Sequence, residues 1–63
     1  MDPDVALTAI TSPTLSLYER IFACDALEAW IINGGFPPTG LRHTETLALC
    51  REHRGHLVRT MED

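Results

Sequence analysis

A chain of 63 residues with 44% apolar and 22% charged side chains reads as one small folded domain, which excludes a low-complexity linker or a disordered tail. A net charge of −4 and a pI near 5.1 withhold the general phosphate attraction that nucleic-acid binding draws on. No apolar run reaches the roughly 20 residues that cross a bilayer.

A domain of this size buries only about 60% of the surface its unfolded chain exposes. A core that small rarely supplies more than about 3 to 5 kcal/mol, so a partner chain, a disulfide or a metal is the usual supplement. The charge is also uneven. Residues 1–36 carry Asp2, Asp4, Glu19, Asp25 and Glu28 against Arg20 alone, whereas Arg42, Arg51, Arg54 and Arg59 balance Glu45, Glu52, Glu62 and Asp63 in the remainder. His43, His53 and His56 add positive charge to the second part below about pH 6.5. Such a chain can associate with itself, acidic half to basic half, although exposed pairs contribute little to that. Every basic side chain other than histidine is Arg, which is read as codon usage rather than function. Asp2 and Asp4 give the start the wrong charge for a secretory signal. A soluble, cytoplasmic protein is expected.

Asp2 followed by Pro3 has the form of an N-cap and a first helical residue, since Asp accepts a bond from a free N–H and Pro has none to leave unpaired. This predicts a short helix over about 3–10. The alternation in VALTAI also fits a strand, but one strand without a second to pair with is not stable. Ser12 and Pro13 repeat the cap signal, and TLSLYERIFACDALEAWIIN is rich in helix formers without an internal Gly or Pro, predicting a long helix over about 13–33. At about 100° per residue, Leu15, Tyr18, Phe22, Ala26, Ala29 and Trp30 gather on one side of it. Leu17, Cys24, Leu27 and Ile31 gather on a second. Two apolar faces need two partners.

Asn33 and Gly34 would signal a hairpin between strands. After a helix they read as left-handed residues that stop it, and Pro37 and Pro38 forbid its continuation. The stretch IINGGFPPTG also sets Gly35 and Gly40 at the spacing that opens a phosphate loop. Leu41 and Arg42 stand where that loop needs Lys and Ser or Thr, and the two prolines lack the N–H groups that cradle phosphate. Residues 34–43 are therefore expected to turn the chain and to bind no cofactor. Thr44 is placed to cap a third helix over about 44–60, with Gly55 as a weak point costing about 1 kcal/mol relative to Ala. Leu47, Cys50, Leu57, Val58 and Met61 form its apolar stripe, with Arg54 inside it. The expected fold class is all-α: a small three-helix domain built on an antiparallel helical hairpin and completed by oligomerisation.

Little in the sequence points to reaction chemistry. Cys50, His53 and His56 share a spacing of three, but His56 falls about 120° from the stripe that holds Cys50, so they do not converge on one ion. Both cysteines read as small buried apolar residues, and a Cys24–Cys50 disulfide would need oxidising surroundings. Asp25 and Glu28, one turn apart, read as a solvated face rather than an acid–base pair. A chain this short has little room for a concave pocket, so no catalytic residue, cofactor or metal is expected.

Arg54 must snorkel, pair with Asp25 or Glu28, or cross an interface to a carboxylate of a second chain. Trp30 and Phe36, rimmed by Pro37 and Pro38, either fill the core or form a patch for a partner. The function expected is a non-catalytic protein–protein interaction module, a small regulator, inhibitor or accessory subunit, binding itself or another protein through apolar helix faces. The interface candidates are Leu17, Leu27, Trp30, Ile31, Phe36 and Arg54. The alternatives are a DNA-associated dimeric regulator presenting Arg42, Arg51 and Arg59, against which the Pro-containing turn and the net charge count, and a zinc-stabilised binding module.

Overall fold

A computed structural model describes residues 1–62. It holds three helices, α1 (Pro3–Thr11), α2 (Leu17–Ile32) and α3 (His43–Glu62), and no strand among the described residues. α2 packs against both of the others.

The start of α1 follows the sequence signal. Asp2 Oδ1 accepts from the N–H of Asp4 at 3.0 Å and of Val5 at 3.4 Å, and Pro3 opens the helix. α2 begins later than Ser12 and Pro13 suggest, because a stronger cap lies downstream. Ser16 Oγ accepts from the N–H of Glu19 at 3.2 Å and donates to Glu19 Oε1 at 3.1 Å, so the Ser-x-x-Glu spacing satisfies the first turn from both sides. Ser12 instead closes α1, its N–H reaching the Ala9 carbonyl at 3.3 Å.

The exit from α2 corrects one detail of the expected stop. Asn33 keeps φ −84°, and only Gly34, at φ +91°, takes the left-handed conformation. The N–H of Gly34 bonds the Ile31 carbonyl at 3.0 Å and that of Gly35 bonds the Trp30 carbonyl at 2.8 Å, the two closing bonds of a Schellman motif. α3 starts at His43, ahead of the expected cap at Thr44. Glu45 reaches back instead, its Oε1 accepting from the N–H of Arg42 at 3.0 Å. Thr46 Oγ1 donates to the Arg42 carbonyl at 2.8 Å, which satisfies this fully buried hydroxyl. The helix then runs through Gly55, where the surroundings are open.

The core consists of Ile10 from α1, Ala23, Cys24, Leu27 and Ile31 from α2, and Cys50 and Leu57 from α3. Ala6, Leu7, Ala9, Leu17, Ile21, Trp30 and Leu47 pack around it. A fully buried leucine such as Leu27 contributes about 1.5 to 3 kcal/mol. α2 is thus the central element, and its side toward Leu27 is closed by the chain itself.

Candidate interaction surface

The six residues singled out from the sequence divide into three groups. Leu27 and Ile31 lie in the core, where this chain's own side chains already cover them, so neither is on the surface open to a partner. Leu17 is half-buried against the same core.

Trp30 and Phe36 fasten the turn after α2. The indole Nε1–H donates to the Phe36 carbonyl at 2.8 Å, and the two rings meet edge to face with centroids 5.5 Å apart. Gly35 sits directly against the indole, so a Cβ there would overlap the ring. His43 Nε2 lies 2.9 Å from the Gly35 carbonyl oxygen and ties the start of α3 to the same turn. Trp30 is half-buried in this arrangement while Phe36 keeps a face in solvent.

Arg54 finds its carboxylates within the chain. Its Nη1 donates to Asp25 Oδ1 at 3.0 Å and lies 3.8 Å from Glu28 Oε1, whose carboxylate also pairs with Arg51 Nε at 3.2 Å. The Asp25 hydrogen bond, followed by the charges of Glu28 and Asp25, holds the guanidinium above its ordinary range.

Beneath these pairs, Cys24 and Cys50 are buried free thiols. Burial pushes Cys50 up to about 11, with Cys24 and Glu28 adding to the shift and Arg54 opposing it. Burial and the Asp25 charge raise Cys24 as well. Thiols held protonated in this way are poor nucleophiles and poor metal ligands at neutral pH. His53 is half-buried and His56 exposed, and among the described residues no three His, Cys, Asp or Glu side chains gather as an ion would require.

The most exposed apolar surface lies elsewhere. Tyr18 and Phe22, one turn apart on the outer side of α2, are 73% and 75% exposed, and Val5 is exposed on α1. A shallow trough is made of two depressions that share Ala9 and Leu15, one along the outer side of α1 and the other between α1 and the start of α2. Asp4, Val5, Thr8 and Ser12 line one part, while Tyr18, Glu19, Phe22 and Ala23 line the other. The i, i+4 spacing of Tyr18 and Phe22, with Leu15 one turn before, was the available signal for this face. Its tie to α1 was not readable from periodicity.

Two carboxylates stand at the trough. Asp4 accepts from the N–H and hydroxyl of Thr39, each at 2.9 Å, and Glu19 from Ser16. Neither takes part in an ion pair among the described residues. Arg20, the one basic side chain of the first 36 residues, points its Nε–H at the Ile10 carbonyl, 2.9 Å away.

Fold and surface together define a small all-α domain with one helix face left uncovered. No protein-family model, curated protein or solved structure matches the chain. No helix among the described residues is long and apolar enough to cross a membrane.

Proposed function

We propose that this chain is a non-catalytic protein–protein interaction module acting in the cytoplasm as a small regulator, inhibitor or accessory subunit, and that it docks through the apolar face shared by α1 and α2. The exposure of Tyr18 and Phe22 side by side carries the reading. Two large aromatic side chains left in water beside a floor of Ala9, Leu15 and Ala23 are the kind of surface that a partner covers. An antiparallel α2–α3 hairpin forms the rigid back of the module. Its support is the pairing of Asp25 with Arg54 and of Glu28 with Arg51, where the later residue of one helix meets the earlier residue of the other. The protonated, buried state of both cysteines supports a non-catalytic role. The DNA-associated alternative is weakened by the engagement of Arg51 with Glu28, which leaves only Arg42 and Arg59 of its three guanidinium groups.

A face of this kind is covered by a second copy in a homo-oligomer or by another protein. Sedimentation equilibrium of the full chain over a range of concentrations, alongside Phe22→Ser, tests the self-association route. A dimer that Phe22→Ser dissolves supports the module and its face. A dimer indifferent to Phe22→Ser moves the interface away from this face and overturns the assignment.

A further inference from the structure

We propose that the trough that runs along α1, over Leu15 and onto the start of α2 receives an amphipathic helix with a cationic polar face, supplied by another protein. The proposal rests on the docking reading above and adds the chemistry of the occupant.

The shape suits a helix. Small residues, Ala9 and Ala23, form the floor between the raised side chains of Val5, Tyr18 and Phe22. An apolar stripe at i, i+3, i+4 and i+7 can lie along such a floor.

The charge selects the sign of its polar side. Asp4 and Glu19 line the trough without an ion-pair partner among the described residues, Asp2 is close in sequence, and Arg20 is occupied at the Ile10 carbonyl. Lys or Arg beside an incoming apolar stripe would meet these carboxylates, whereas Glu or Asp would be repelled. Rim charges of this kind act more on selectivity and association rate than on total affinity.

The same charges count against a second copy. Face-to-face pairing through Phe22 would join two troughs that each carry Asp4 and Glu19 and have no basic residue in their lining. Head-to-tail pairing onto the outer side of α3 would meet exposed Arg51, Glu52, His56 and Arg59, with Met61 the one exposed large apolar residue there, and pairing onto the end of α2 would find Ile32 and Phe36 as its exposed large apolar residues. An anionic lipid surface meets the same acidic rim.

The test uses two labelled synthetic peptides, each about five helical turns long, that share one Leu and Phe stripe and carry either Arg and Lys or Glu on the polar side. Fluorescence anisotropy against the full chain should show the cationic peptide binding about tenfold or more tighter than the anionic one. The preference should shrink as ionic strength rises from about 0.05 to 0.3 M and the screening length shortens. Phe22→Ser should weaken binding by about tenfold, with Tyr18→Ser as a second exposed variant whose fold is checked by circular dichroism. Asp4→Asn combined with Glu19→Gln should remove most of the preference and retain the apolar binding.

Equal binding of both peptides, weakened by Phe22→Ser, would sink the charge inference and leave the docking face standing. A cationic preference indifferent to both aromatic variants would place the site elsewhere and overturn the proposal. Binding of neither peptide by a chain that dimerises through Phe22 would assign the trough to a second copy. Binding only to phosphatidylcholine vesicles would assign it to lipid. A strict monomer that binds none of these would overturn both the proposal and the reading beneath it.

Discussion

The two sides of α2 have nearly the same apolar content and opposite fates. On one side Cys24, Leu27 and Ile31 are sealed with Cys50 and Leu57 from α3, and Arg51 and Arg54 close the outer edge onto Glu28 and Asp25. On the other, Tyr18 and Phe22 stand in water beside α1. Apolar residues alone therefore do not decide what becomes a core. What separates the sides is the neighbour: α3 contributes an apolar stripe and α1 contributes Ile10 to the closed side, while neither helix covers Tyr18 and Phe22.

The largest effect should come from the closed side. Leu27→Ala removes a fully buried side chain and is expected to cost about 3 kcal/mol, which consumes most of the stability of a domain this small. Phe22→Ala removes a larger side chain and should change stability by less than about 0.5 kcal/mol, because that ring is already in water. Urea denaturation of the two variants measures both. Similar losses would break the comparison, since Phe22 would then have to be covered in solution.

The end of the closed side depends on a glycine. Gly35→Ala would drive a methyl group into the flat indole of Trp30, which is held by its bond to the Phe36 carbonyl. A cost of about 2 kcal/mol is expected, with a change in Trp30 fluorescence as the ring is displaced. Gly34→Ala meets no neighbour and suffers only from its positive φ, so about 1 kcal/mol is expected there.

The buried thiols give the closed side a pH signature. Cys50 is raised from an ordinary value of 9.0 to about 11 in the folded chain, so the folded state holds its proton more tightly than the unfolded state. Stability from this source is complete below pH 9 and is lost as the pH rises through 11, by on the order of 2 to 3 kcal/mol. Denaturation midpoints at pH 7.5, 9 and 10.5 should fall in that order. The slope should diminish in Cys50→Ala, and an unchanged slope there would assign it to other groups.

The helix count, the Asp2 cap and the stop at Gly34 were legible because each rests on a local rule: a side-chain acceptor before a proline, or a residue without a Cβ where φ turns positive. α2 starts at Leu17 and not at about residue 13, because Glu19 three residues after Ser16 completes a cap for which Ser12 has no matching acidic residue. The surface was harder to read. Periodicity puts Leu17, Leu27 and Ile31 on one side of α2 and Tyr18 and Phe22 on another, but both sides are apolar. Which one α3 takes depends on packing between distant segments. The pattern therefore offers Leu27 and Ile31 to a partner, and the chain's own core takes them.

Arg54 sharpens the comparison by the smallest effect. Its position within an apolar stripe allowed a pair reaching into a second chain, and the structure instead places its Nη1 3.0 Å from Asp25 of the same chain. Both side chains of that pair are about half exposed, and an exposed pair adds little because each partner is well solvated when alone. Removing the guanidinium leaves Asp25 facing water and leaves Glu28 paired with Arg51, so no buried charge is stranded. Arg54→Leu should therefore shift the denaturation midpoint less than Gly34→Ala does and leave the sedimenting mass at each concentration unchanged. A fall in mass would show that Arg54 also reaches across to another chain, and the closed side of α2 would then be part of an interface.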